Sequence, residues 1–108
     1  MATPRFMRLM VFFDLPVKTK PNRRAYTRFH AFLIHDGYDM LQFSVYARVC
    51  NGLDAIEAHT KRLQAAKPED GSVRYLVVTE KQYANIQTVV GAKKRAERHE
   101  SASQLTFF

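Results

Sequence analysis

A single cysteine, Cys50, rules out an internal disulfide and a cysteine-built zinc site, and reads as a small apolar strand residue. Four Gly and four Pro are too few for a collagen-like or low-complexity chain, and the 46% apolar content argues against disorder. No apolar run approaches the roughly 20 residues that span a bilayer; the longest, Leu9 to Phe13, is of strand length. Met1-Ala-Thr-Pro-Arg5 has no basic region followed by a long apolar one, so a cytoplasmic protein without membrane attachment is expected. Also missing are a Gly-rich phosphate loop, paired Cys or His at zinc spacing, and an Asp/Glu cluster able to hold a metal within one chain. His30 and His35 lie on different helix faces, and each histidine reads as a surface residue. Ser44 has no recognisable base or orienting carboxylate for nucleophilic chemistry.

What the chain does have is positive charge. Its 17 Lys and Arg against 10 acidic residues give +7 on 108 residues, which favours a polyanionic partner, because each cation placed on a phosphate releases condensed counterion. Arg outnumbers Lys ten to seven, and guanidinium grips phosphate in a bidentate way. Nucleic acid is the partner expected. A chain of this length is one domain, short enough to need tight packing or a partner, so a homodimer is plausible.

Arg5 to Phe13 reads as a buried central strand, apolar on both faces near its end and closed by Asp14. An Asp there is an ordinary strand exit before Leu15-Pro16, or a carboxylate held by the sheet yet open to a metal or phosphate. Thr19-Lys20-Pro21 offers a helix start, and Ala25, Tyr26, Phe29, Phe32 and Leu33 form the inner stripe of a helix that Gly37 can end. Arg24, Arg28 and His35 gather on its outer side.

Tyr38 to Gln42 and Val45 to Val49 read as two strands around a reversal at Phe43-Ser44, with one long kinked strand as the competing reading. Asn51, with Asp54, suits the start of a second helix whose inner stripe is Leu53, Ile56, Thr60 and Leu63. Val73 to Val78 is the next strand. Thr79-Glu-Lys-Gln82 fits a capping box that opens a short helix burying Tyr83 and Ile86. Residues 1–91 therefore form the domain, 92–100 a charged connector, and 101–108 an apolar terminal strand seeking a sheet edge, that of a partner subunit included. The order strand, helix, strand, strand, helix, strand predicts an α+β, ferredoxin-like βαββαβ fold with an extra C-terminal strand. Its bare sheet face predicts a homodimer with sheets packed face to face.

Four segments in order, Arg8-Leu-Met-Val-Phe-Phe-Asp14-Leu-Pro, Arg23-Arg24-x-Tyr26-x-Arg28-Phe29, Gly37-Tyr38 to Gln42-x-Ser44-Val45-Tyr46, and Val78-Thr-Glu-Lys-Gln-Tyr83 with Val90-Gly91, resemble the small CRISPR-associated adaptation protein family. This is the second of the two universal spacer-acquisition proteins, also called a CRISPR-associated endoribonuclease, and the Thr-Glu-Lys-Gln segment is similar to its type II branch. The resemblance implies a ferredoxin-like homodimer that works in antiviral defence with the CRISPR integrase, bridging duplex DNA before its insertion. It also implies an alternative, a magnesium-dependent endonuclease for RNA or double-stranded DNA, with Asp14 as catalytic residue and metal ligand. Because Mg²⁺ takes about six oxygen ligands and one carboxylate is too few, such a site needs Asp14 from both subunits near the two-fold axis, with waters and phosphate completing the shell. The nucleic-acid contacts expected are Arg23, Arg24 and Arg28 on the helix and Lys93, Lys94 and Arg95 in the connector; Leu105, Phe107 and Phe108 are the expected dimer contacts. A plain ferredoxin-like RNA-binding module is the third reading.

Overall fold

The opening apolar run becomes the centre of a sheet. In the computed structural model, which describes residues 6–91, strand β1 (Phe6–Asp14) pairs antiparallel with β3 (Val45–Asn51) on one side and β4 (Ser72–Thr79) on the other. Strand β2 (Asp39–Gln42) flanks β3, giving the order β2-β3-β1-β4. Helices α1 (Lys20–His35) and α2 (Leu53–Ala66) follow β1 and β3, and a short α3 (Glu80–Ala84) follows β4. This is the α+β, ferredoxin-like order expected. The expected connector and terminal strand, with Lys93, Lys94, Arg95, Leu105, Phe107 and Phe108, lie outside the described residues. Among the described residues no helix is long and apolar enough to cross a membrane.

The twofold repeat of a strand divides β1 between two environments. Leu9, Val11 and Phe13 enter the core with Phe29 and Leu33 of α1, Tyr46 and Cys50 of β3, and Leu63 of α2. Phe13 is its hub: edge-on to Phe29 at 5.0 Å and Tyr26 at 5.9 Å, and stacked on Tyr46 at 5.5 Å. Burial accounts for Cys50, whose thiol is pushed up by desolvation and behaves as a packed apolar group. The alternate residues, Arg8, Met10, Phe12 and Asp14, take the opposite face, in register with Val49 and Val78, Ala47 and Leu76, Val45 and Arg74, and Ser72. That face keeps Val49 42% and Leu76 53% exposed. At its Arg8 end α3 folds over it, with the guanidinium 4.3 Å from the centre of the Tyr83 ring and Nε donating to Glu80 at 2.7 Å.

Local signals are met closely. Thr19 caps α1, its Oγ1 accepting from Asn22 N at 3.1 Å with Pro21 in the first turn. The helix ends in a Schellman motif: Gly37 N–H donates to Ile34 O at 3.1 Å and Tyr38 N–H to Leu33 O at 3.0 Å. Thr79 and Gln82 form the reciprocal capping box. Ser44, at φ 68°, makes the Phe43-Ser44 step a true reversal, so Tyr38 to Val49 is two strands.

Several expectations fail. Gly52, not Asn51, caps α2, because the ladder with β1 runs on through Phe6↔Asn51 and keeps Asn51 in the strand. Leu53 is exposed: helical side chains lean toward the N-terminus, so the first residue points off the helix end. His59, expected at the surface like every histidine, is buried and takes a place on the inner stripe instead. Ile86 is exposed as well, since α3 ends at Ala84 with Asn85 as its C-cap, leaving only Tyr83 within reach of the sheet.

Candidate nucleic-acid interface at the Asp14 strand end

Asp14 closes β1 with its side chain exposed. On one side it lies in register with Ser72, the first residue of β4. On the other, Phe13 N–H donates to Ser44 O at 3.0 Å, so the β2–β3 turn abuts the same strand end. Gly71 sets how closely β4 can enter. It sits at φ +98°, and a Cβ there would fall 2.6 Å from Asp14 O and 2.7 Å from Leu15 Cδ2. The strand end is thus fixed by backbone contacts on both flanks, while the carboxylate itself stays in water.

The path from Asp14 to α1 is equally fixed. Leu15 is buried, and Nη1 of Arg23 donates to Val17 O and Lys18 O, both at 3.1 Å. Arg23 therefore staples the loop, with its remaining donors outward. Lys20, Arg23, Arg24, Thr27 and Arg28 line a shallow concavity on the first half of α1. From Leu15 to His35 the sequence contains no acidic residue at all, so nothing in that stretch neutralises these cations. Arg28 also borders a cleft of about 590 Å³ between α1 and the Lys67–Asp70 turn. The structure thus brings Arg23, Arg24 and Arg28 together on one surface, and places Asp14 at the entrance of the loop that Arg23 holds.

Toward a magnesium ion one chain offers the Asp14 carboxylate at this strand end. Among the described residues no group of three or more His, Cys, Asp or Glu is placed to hold a metal, so waters and phosphate would have to supply most of the about six oxygen ligands.

A polar cluster that sequence reasoning missed lies at the other end of α1. Asp36 accepts from His59 Nδ1 and from Arg62 Nε, each at 2.9 Å, while its backbone carbonyl accepts from Arg48. Burial works against ionisation of Asp36, but the hydrogen bonds and charges of His59 and Arg62 outweigh it and hold the carboxyl below the usual carboxylate range. Because the partners are 23 and 26 residues away, no local pattern announces them. The cluster clamps the end of α1 to α2 and β3. His30 is also not a free surface residue, since its Nδ1 pairs with the hydroxyl of Tyr46.

The profile of the CRISPR-associated protein Cas2 family matches residues 7–86. The chain is 54% identical over 102 residues to the CRISPR-associated endoribonuclease Cas2 of Acidovorax ebreus (strain TPSY), covering 94% of this chain and all of that protein. It is 43% identical, over the same shares, to that of Parvibaculum lavamentivorans. A Campylobacter jejuni protein of the same name is 36% identical over all of this chain and 76% of its own length. With the ordered motifs, the four-stranded sheet and the matched span in agreement, the chain belongs to the Cas2 family of CRISPR adaptation proteins.

Proposed function

We propose that the chain is a homodimeric scaffold that bridges duplex DNA for the CRISPR integrase during spacer acquisition. The observation that carries this reading is the acid-free basic half of α1, where Arg24 and Arg28 stand exposed beside Lys20 and the Arg23 staple. Such a surface binds phosphate without reading bases. The partly bare sheet face with Val49 and Leu76 suits a second copy.

A second reading, a metal-dependent endonuclease acting on RNA or double-stranded DNA, is favoured by one feature: a solvent-open carboxylate, Asp14, at the end of the central strand. The name its relatives carry, endoribonuclease, points the same way. In this reading Asp14 from two subunits meets near the two-fold axis, with waters and phosphate completing the Mg²⁺ shell.

One preparation of full-length protein tests both readings. It is pulled down with the integrase subunit in the presence of short duplex DNA, and assayed for cleavage with and without divalent metal. The scaffold reading expects Asp14→Asn to keep integrase association and spacer integration while any cleavage disappears. A folded Asp14→Asn protein that supports no integration would establish catalysis as the role, and a monomeric mass at micromolar concentration would remove the dimer.

A further inference from the structure

Phe43 has the most exposed ring among the described residues, 81% open to solvent against 50% for Phe6 and 45% for Tyr75. It occupies the β2–β3 turn, whose next residue, Ser44, is held at φ 68°. A large apolar ring in water and a non-glycine residue in the left-handed region both work against stability, and a Gly-containing turn would avoid both. Packing within the chain therefore does not explain this ring. Its position suggests what does. The pairing Phe12↔Val45 and the bond from Phe13 N–H to Ser44 O bring the Phe43-Ser44 turn, which reverses the chain between Gln42 and Val45, against the Asp14 end of β1. Ser72 flanks Asp14 on the other side, and the loop beyond leads through Lys18 to the basic half of α1.

We infer that Phe43 is a stacking platform for an unpaired nucleobase at the Asp14 end of the sheet. An aromatic face takes any base that has lost its stacking neighbour, whereas bases inside a duplex already have theirs. The ligand class is thus a nucleic acid with a single-stranded end or segment, its phosphates on the Lys and Arg residues of 18–28 and one base on the ring. This inference rests on the nucleic-acid reading above and adds to it a preference for unpaired over fully paired substrate.

The test uses full-length protein and fluorescence anisotropy with four probes: a blunt DNA duplex, the same duplex with a single-stranded tail, the tail alone as DNA, and the tail alone as RNA. Wild type should bind the tailed duplex more tightly than the blunt one. Phe43→Ala and Phe43→Leu should each weaken tailed and single-stranded binding by roughly five- to a hundredfold, leave the blunt duplex unchanged, and keep the wild-type mass. Phe43→Trp should retain the preference. A loss confined to the DNA or the RNA tail supports the inference and names the sugar. Phe43→Leu behaving as wild type would overturn it, since leucine covers an apolar contact but cannot stack. Equal loss on the blunt duplex, or loss of the native mass, would do the same by making Phe43 a duplex or subunit contact. Failure of wild type to bind the blunt duplex would instead strike the scaffold reading, leaving the tail probes to judge Phe43.

Discussion

Replacing Gly71 by alanine should cost far more than the same change at Gly52, although the two glycines share nearly the same backbone angle, φ +98° and +95°. Positive-φ backbone of this kind costs a side-chain-bearing residue about 1–3 kcal/mol, and both variants incur a penalty of that order. At Gly52 nothing lies within 4 Å of the added methyl, so that is close to the whole effect. At Gly71 the methyl would meet Asp14 O at 2.6 Å and the α-carbon of Leu15 at 3.1 Å, which are backbone atoms that cannot rotate away. Overpacking of this kind adds about 1–3 kcal/mol. For a domain of this size each kcal/mol moves the melting temperature by about 4–8 °C, so Gly71→Ala should melt roughly 5–20 °C below Gly52→Ala. Thermal denaturation of both variants at one protein concentration checks this, the fixed concentration removing any contribution from association. Equal melting temperatures would refute the argument, because the strand end would then be able to yield to the methyl at no cost.

Converting Arg24 and Arg28 together to alanine should lower the slope of log affinity for duplex DNA against log salt by about two units, one per phosphate contact; an unchanged slope would move the DNA path off α1. Acidification should destabilise the protein through Asp36: its carboxyl is depressed in the fold, so the unfolded chain binds the proton first, and stability is held above the ordinary carboxylate value and lost as pH falls toward the folded one. Asp36→Asn should lose about 1–3 kcal/mol at neutral pH and show a flatter acid limb in denaturation at a series of pH values. Arg8→Ala should release α3, seen as faster amide exchange at residues 80–84 with a loss of about 1–2 kcal/mol. Its Glu80 bond is part-exposed, and the Tyr83 contact adds about 0.5–1 kcal/mol.

Most of the architecture was legible because it is written in short-range patterns. The apolar run ending at Asp14, the 3.6-residue stripe of Phe29 and Leu33, and the Thr79-Gln82 box each specify an element within a few residues. The basic side of α1 followed from the same periodicity. Misses arise where a distant partner decides. Asn51 has good capping chemistry, but pairing with Phe6 keeps it in the sheet. His59 resembles any polar helix residue until Asp36 approaches from another helix. Arg23 counted as a phosphate contact in the sequence, yet the carbonyls of Val17 and Lys18 already occupy part of its guanidinium.

The order of strands across the sheet also bears on how the chain folds. Strand β1 pairs with the last strand among the described residues: Asp14 meets Ser72 and Met7 meets Thr79, so docking β4 closes a loop that contains both helices and the intervening hairpin. Closing so long a loop is a slow, entropically costly step that local helix formation does not hasten. The surroundings of Asp14 are therefore expected to be completed late in folding, which slower structure formation in β4 than in the β2–β3 hairpin would show. A chain interrupted before Gly71 would already contain the carboxylate, the basic helix and the Phe43 turn, yet it would lack the neighbour that fixes their strand end, and so would be kept from acting before it is whole.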